Sequence, residues 1–435
     1  MDNKIIPTYI INLEKRIDRK LYIQDEFRNR PEFDVNIVKA IEDEIPAIGL
    51  YKSLIKIILV AKEKSLPYVL ICEDDHQFTQ YYNEEKFINS IINLNNENVG
   101  VYLGGISWFD YAFPVKSGYY CVNSFNGTQF MVIYSRNYDV LLNAEFDKTT
   151  TIDVWIAKLT TKIYVSVPML SVQKDFGYSD VTSQNDKLGI VEEYFIQTNN
   201  RWKALEIINE HIKKVDLLEV LPEEDCVDLV LPTYLINEVA NHHRLQYIKN
   251  QFKNKNEFHT QVLEVLNNSY NFSNSWNNLL SVVSFAKEKQ EEVILVCWDN
   301  HEFQNNYDKR LLFTSVYQGA YLAADIILGG VSKVRQAIPV NNYLCWLDRF
   351  EGSQFVIIYN HFFDIILNES YHENEFVDSK LSNMTINKYV IHPFISTQKE
   401  FDENIINSLE SVDSINQFES CEQKIDMIRI QANQY

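Results

Sequence analysis

Short apolar runs alternate with longer amphipathic stretches from the first residues onward, and the alternation predicts an α/β fold. Ile5 to Asn12, rich in Ile, Tyr and Thr, reads as a first core strand. A charged turn, Leu13 to Lys20, enters a helix that runs to about Asn29, and Phe33 to Ala40 reads as a second strand. From Ala47 to Lys64, Leu50, Leu54, Ile57, Ile58 and Ala61 recur at helical spacing, so this helix packs one face on a sheet. Tyr68 to Cys72 is a continuous apolar run of strand length that drives into Glu73, Asp74 and Asp75. Phe87 to Leu94 reads as a helix, Val99 to Leu103 as a strand, and Gly104-Gly105 as a point where the backbone bends or passes close to something. Phe125 to Gln129 reads as a turn before a strand, Phe130 to Tyr134, after which Ser135 is expected to cap a helix through Leu142. Ile163 to Val167 reads as a strand closed by Pro168, and Ser171 to Asp180 as a polar loop. Val191 to Val215 reads as a charge-rich helical connector.

The chain then repeats itself. Val293 to Phe303 reads as Tyr68 to Phe78 again, with Cys72 recurring as Cys297, 225 positions on. The same shift carries Pro7-Thr8-Tyr9 to Pro232-Thr233-Tyr234, Arg19 to Arg244, and Gly104-Gly105 to Gly329-Gly330. It also carries Gly127 to Gly352, Gln129 to Gln354, Asp153 to Asp378 and Pro168 to Pro393. A single register across so many anchors predicts a tandem duplication of one domain. The expected boundaries are 1–190 for the first copy, 191–225 for a helical connector and 226–435 for the second, with a closing helix from Val412 to Ile430.

The chain's 435 residues fit two domains, and 46% hydrophobic content with 13% aromatics indicates globular folding. A net charge of −20 argues against nucleic acid and anionic membrane surfaces as partners, while leaving room for a nucleotide held by a local Arg cluster and a metal. The six scattered cysteines have no zinc-type spacing, no apolar run reaches transmembrane length and no signal-peptide pattern opens the chain, so a soluble, cytoplasmic protein is expected.

The chemistry concentrates where the third strand ends. Three consecutive carboxylates repel one another, and a fold keeps them at low cost only with a cation or solvent nearby. In an α/β sheet that position is the usual ligand crevice, and a divalent ion held there can also hold a diphosphate. A solvated acidic loop is the alternative. Arg16 and Arg19, at the start of the first helix, can face phosphates, whereas Lys15 and Lys20 read as surface residues. Asp153, which follows three threonines at a helix start, reads either as an N-cap or as a carboxylate aimed into the crevice.

Tyr9 to Arg19, Leu70 to Asp75, and Pro168 with Gln173 and Phe176-Gly177-Tyr178-Ser179-Asp180 together resemble glycosyltransferase family 25, the lipopolysaccharide-type sugar transferases related to collagen galactosyltransferases. The resemblance covers about residues 5 to 185 and, in weaker form, the second copy. It implies a GT-A fold: a Rossmann-like domain that takes a nucleotide-sugar donor, usually a UDP-hexose, with Mn²⁺ or Mg²⁺, and inverts the sugar carbon. Carried onto this chain, Glu73 would face the donor or the metal and Asp75 would ligate the metal. Asn12, Arg16, Arg19, Asp74 and Gln173 would surround the donor, and Asp153 would be the acceptor-activating base. The acceptor would be a glycan, a lipid-linked oligosaccharide or a peptide. A homodimer is compatible with this reading.

The copies differ at these positions. Glu73 becomes Trp298, Asp75 becomes Asn300, Arg16 becomes Asn241 and Asp18 becomes His243, so the second site is expected to bind a divalent ion poorly. Features kept in both copies, among them His76 and His301, are expected to be structural. The expectation is therefore an active first domain beside a degenerate second one. A non-catalytic scaffold and a nucleotidyltransferase are the alternatives, although Leu13 to Lys20 lacks the glycines of a phosphate loop.

Overall fold

A computed structural model describes residues 5–116, 118–177, 187–215, 220–239, 241–265, 272–370, 376–401 and 414–433. The chain divides into two compact units, Met1–Glu206 and Ile207–Tyr435. Each is an α/β unit built on an eight-stranded mixed sheet, so two such sheets follow in tandem.

In the first unit the strands are β1 (Ile6–Asn12), β2 (Phe33–Lys39), β3 (Tyr68–Glu73), β4 (His76–Phe78), β5 (Val101–Leu103), β6 (Trp108–Phe109), β7 (Ala112–Lys116), β8 (Tyr119–Val122), β9 (Phe125–Asn126), β10 (Phe130–Tyr134), β11 (Ile163–Ser166) and β12 (Ser171–Gln173). The large sheet runs β2-β1-β3-β10-β5-β11-β8-β7. β2, β1 and β3 are parallel, and β10 lies antiparallel between β3 and β5. The helices are α1 (Ile17–Glu26), α2 (Pro46–Glu63), α3 (Glu84–Asn96), α4 (Tyr138–Asn143), α5 (Ile152–Leu159) and α6 (Ile190–Lys214). β3 is buried on both faces through Val69, Leu70, Ile71 and Cys72, which accounts for its unbroken apolar run. The α2 stripe of Leu54, Ile57, Ile58 and Ala61 is buried, as its spacing predicts. From α6, Trp202 is buried and stacks on Phe109 with ring centroids 4.1 Å apart.

Two readings from sequence are corrected, and one element escaped it. Ser171 to Gln173 is not loop: it pairs antiparallel with His76–Phe78 as a two-stranded ribbon. The hairpin of β7 and β8 was not foreseen, because Pro114 and the two-sided burial of β8 mask its alternation. Ser135 does not cap a helix; it opens a 3-10 turn, Ser135–Asn137, that leads into α4. The Gly104-Gly105 expectation holds, since a Cβ at Gly105 would lie 2.0 Å from the Ser171 carbonyl oxygen. There the end of β5 slides under the ribbon, and Leu170 donates to the Gly104 carbonyl at 2.6 Å.

The second unit contains β13 (Leu231–Glu238), α7 (His242–Gln251), β14 (Phe258–Val265), α8 (Phe272–Glu288), β15 (Val293–Trp298), β16 (His301–Phe303), α9 (Lys309–Tyr321), β17 (Ile326–Leu328), β18 (Lys333–Val334), β19 (Ala337–Pro339), β20 (Leu344–Leu347), β21 (Phe350–Glu351), β22 (Phe355–Tyr359), α10 (Asn360–Asn368), α11 (Val377–Met384), β23 (Lys388–Ile391), β24 (Ser396–Gln398) and α12 (Ser414–Ala432). Its sheet order, β14-β13-β15-β22-β17-β23-β20-β19, repeats the first position for position. Among the described residues, each of the twelve strands of the second unit begins 225 positions after its counterpart in the first.

Candidate functional site

β1 and β3 are adjacent and parallel, with Ile11 opposite Glu73, yet the chain leaves them in opposite directions across the sheet. β1 continues through α1 to β2 on one side, whereas β10 and β5 lie beyond β3 on the other. This is a topological switch point, where the loops diverge and open a crevice beyond the carboxyl ends of the strands. Asn12 ends β1 and Glu73 ends β3, with Asp74 and Asp75 forming the turn into β4.

A buried network ties this end together. Asn12 Nδ2 donates to Asp74 Oδ2 at 2.7 Å and to the Arg16 carbonyl at 3.3 Å. Arg19 Nη1 bridges Asp74 Oδ1 at 3.3 Å and Asp75 Oδ2 at 3.1 Å, with only 5% of its side chain exposed. Arg16 is also buried at the start of α1. The Arg19 guanidinium lies 4.6 Å from the centre of the Phe176 ring, and Tyr22 meets the same ring edge-on. Phe176 therefore fixes the arginine from one side while the two aspartates fix it from the other. The backbone N–H of Lys174, just past β12, donates to the Asp75 carbonyl at 2.8 Å, which brings neighbouring Gln173 to the rim of the same turn.

The electrostatics follow from crowding. Burial, then Asp75, pushes the Glu73 carboxyl up to about 8, against the Thr128 hydroxyl that donates to it; Asp74 and Asp153 add to the rise. Burial likewise pushes Asp75 up to about 6, opposed by Arg19 and Arg16 and reinforced by Asp74. Among the described residues, Asp75 Oδ1 is buried without a hydrogen-bond partner, although its other oxygen is paired. An orphaned carboxylate oxygen beside a second carboxyl pushed toward neutrality fits a hard cation, which would relieve both costs. Among the described residues no three His, Cys, Asp or Glu side chains gather as a complete metal cage. The set fits instead an ion held by one or two carboxylates, with substrate phosphates supplying the remaining oxygens.

Asp153 lies in the first turn of α5, where Thr151 rather than Asp153 occupies the N-cap position. Its carboxylate accepts from the Gly127 N–H at 3.1 Å, from Val154 N–H at 2.9 Å and from the Thr151 hydroxyl. Gly127 has a φ of +119°, so Asp153 pins a turn that only glycine adopts readily. Asp378 holds Gly352 in the same way, from 2.6 Å. His76 is fully buried, with Nδ1 2.8 Å from Ser171 Oγ, and His301 repeats this with Ser396 at 2.8 Å. Direct contacts thus join Asn12, Arg19, Asp74 and Asp75, while Glu73 is tied to Thr128 and Asp153 to Gly127. Tyr178, Ser179 and Asp180 lie outside the described residues.

Thr128, Tyr22 and Lys174 were not singled out from the sequence. Thr128 was detectable by comparing the copies, since Glu73 and Thr128 change together into Trp298 and Ser353. Ser353, without a carboxylate opposite, turns its hydroxyl to Asp378.

No family model and no curated protein matches this chain. Solved structures with some likeness include A197 from STIV, at 13% identity and a TM-score of 0.30 over 40% of this chain and 87% of that one. A glycosyltransferase involved in glycosylation of the major capsid of PBCV-1 matches at 16% identity and a TM-score of 0.25, over 37% of this chain and 81% of that one. An apo UDP-glucose pyrophosphorylase matches at 9% identity and a TM-score of 0.26, over 45% of this chain and 81% of that one. Likenesses this slight fix neither family nor activity.

Proposed function

We propose that the first unit is a metal-dependent glycosyltransferase of GT-A type that moves a sugar from a nucleotide-sugar donor to a glycan, lipid-linked or peptide acceptor with inversion. The observation that carries this reading is the orphaned Asp75 oxygen at the switch-point crevice, next to Glu73 and clamped by Arg19. The resemblance of residues 5 to 185 to glycosyltransferase family 25 supports it. In this reading Asp75 and Glu73 hold Mn²⁺ or Mg²⁺, which when bound supplies positive charge against the leaving diphosphate. Arg16 adds cationic charge on the phosphate side. Asp74, with both oxygens taken by Asn12 and Arg19, positions those two residues. Gln173 borders the donor. Asp153, oriented by Gly127 and Val154, takes the acceptor's proton as the new glycosidic bond forms and the bond to the diphosphate breaks. The second unit is read as a tandem duplicate that has lost metal chemistry through Trp298 and Asn300. Six buried thiols outside any disulfide suit a reducing compartment such as the cytoplasm. Among the described residues, no helix is long and apolar enough to cross a membrane.

The test is nucleoside diphosphate release from a panel of nucleotide sugars, with Mn²⁺ or with chelator, by the full chain and its Asp75→Asn and Asp299→Asn variants. Release that needs metal, is lost in Asp75→Asn and survives in Asp299→Asn is the expected result. Pyrophosphate as the product would replace the transferase with a nucleotidyltransferase. Failure of every donor to bind by calorimetry, with metal present, would leave a scaffold.

A further inference from the structure

The second unit rebuilds the backbone of the crevice but changes its chemistry. Trp298 stands opposite Ile236 as Glu73 stands opposite Ile11, and its N–H donates to the Gln354 carbonyl at 3.1 Å, as that of Glu73 does to Gln129. The turn is held too: Lys399 N–H donates to the Asn300 carbonyl at 2.7 Å, and Arg244 lies 4.7 Å from the centre of the Phe401 ring. Three carboxylates have become one, Asp299, whose partner is Arg244 at 3.6 Å. Arg16 has become the neutral Asn241. Trp298 is only half-buried. Among the described residues, Asn300 Oδ1 is buried and has no hydrogen-bond partner.

A decayed crevice would fill with packed apolar side chains; this one keeps a half-buried aromatic ring with an indole donor and an amide acceptor, and has lost two of the three consecutive carboxylates. That combination suits one ligand class. A pyranose ring presents a face of C–H bonds to the negative face of an aromatic ring, and its hydroxyls pair with N–H donors and amide oxygens. A nucleoside diphosphate is disfavoured, because the cation-binding carboxylates are gone and the remaining arginine is already paired. The geometry points to a metal-independent binding site for a neutral sugar at Trp298 and Asn300 in the second unit. It stands whether or not the first unit transfers sugar.

The experiment is saturation-transfer NMR of the full chain in EDTA. The probes are the methyl glycosides of galactose, glucose, mannose and N-acetylglucosamine, with UDP as a comparison. Wild type should bind at least one glycoside in EDTA and bind UDP no better. Trp298→Ala should weaken that binding about tenfold, whereas Trp298→Phe, which keeps an aromatic face, should retain most of it. The inference is overturned if no glycoside binds the wild type or if Trp298→Ala binds like wild type. It is equally overturned if Trp298→Phe loses as much as Trp298→Ala, or if UDP in EDTA displaces the glycoside.

Discussion

The carboxyl of Glu73 is the sharpest place to test the electrostatics, through Glu73→Gln. The substitution is isosteric, keeps an oxygen for the Thr128 hydroxyl and removes the ionisation. Burial and Asp75 raise Glu73 from its ordinary 4.5 to about 8, so the folded state holds the proton more tightly than the unfolded chain. Its contribution to stability is therefore complete below pH 4.5 and is lost as pH climbs through 8. At ~1.4 kcal/mol per pH unit the span corresponds to at most about 5 kcal/mol. Partial contact with solvent trims this to about 2–3 kcal/mol. For a unit of this size that is a Tm difference of about 4–12 °C. The assay is thermal unfolding of the full chain at pH 5 and pH 8 in chelator, with the second unit contributing equally to both proteins. Wild type should lose stability against Glu73→Gln as pH rises, and millimolar Mn²⁺ should abolish the difference by holding the ionised form. Parallel pH profiles for the two proteins in chelator would refute the account.

Arg19→Lys keeps one positive charge but cannot bridge Asp74 and Asp75 with the same planar group, so denaturant unfolding should show a loss of about 1–3 kcal/mol. Gly105→Ala places a methyl group against the Ser171 carbonyl, and about 1–3 kcal/mol of stability should go, with Gly330→Ala paying the same against Ser396. His301 is pushed down to about 3 by burial and Lys255, so the folded second unit keeps it neutral. Stability from this source is whole above pH 6.5 and falls as pH drops toward 3, and His301→Gln should flatten that slope in acid unfolding.

Much of the sheet could be read from the chain because buried parallel strands such as β3 declare themselves as unbroken apolar runs. The hairpin of β7 and β8 escaped because Pro114 argues against a strand and Tyr119 to Val122 shows no polar alternation. The β4–β12 ribbon escaped because three-residue strands carry too few positions for any period. At the crevice, sequence located Asn12, Arg19, Asp74 and Asp75 but not their division of labour. That Asp74 is consumed by Asn12 and Arg19 while an oxygen of Asp75 is left over depends on side-chain geometry, which spacing does not encode. The aromatic clamp of Phe176 on Arg19 joins residues more than 150 positions apart, beyond the reach of local pattern.

The constant offset of 225 positions between the strands of the two units has a practical consequence for testing either crevice. Every residue of the first crevice has a twin on an equivalent strand, turn or helix of the same polypeptide. The molecule therefore carries its own isogenic control. A substitution at Glu73 and its mirror at Trp298 share expression, buffer, concentration and folding history. Exchanging residues 68–78 with 293–303 would transplant one crevice chemistry onto the other unit without altering the length of any loop.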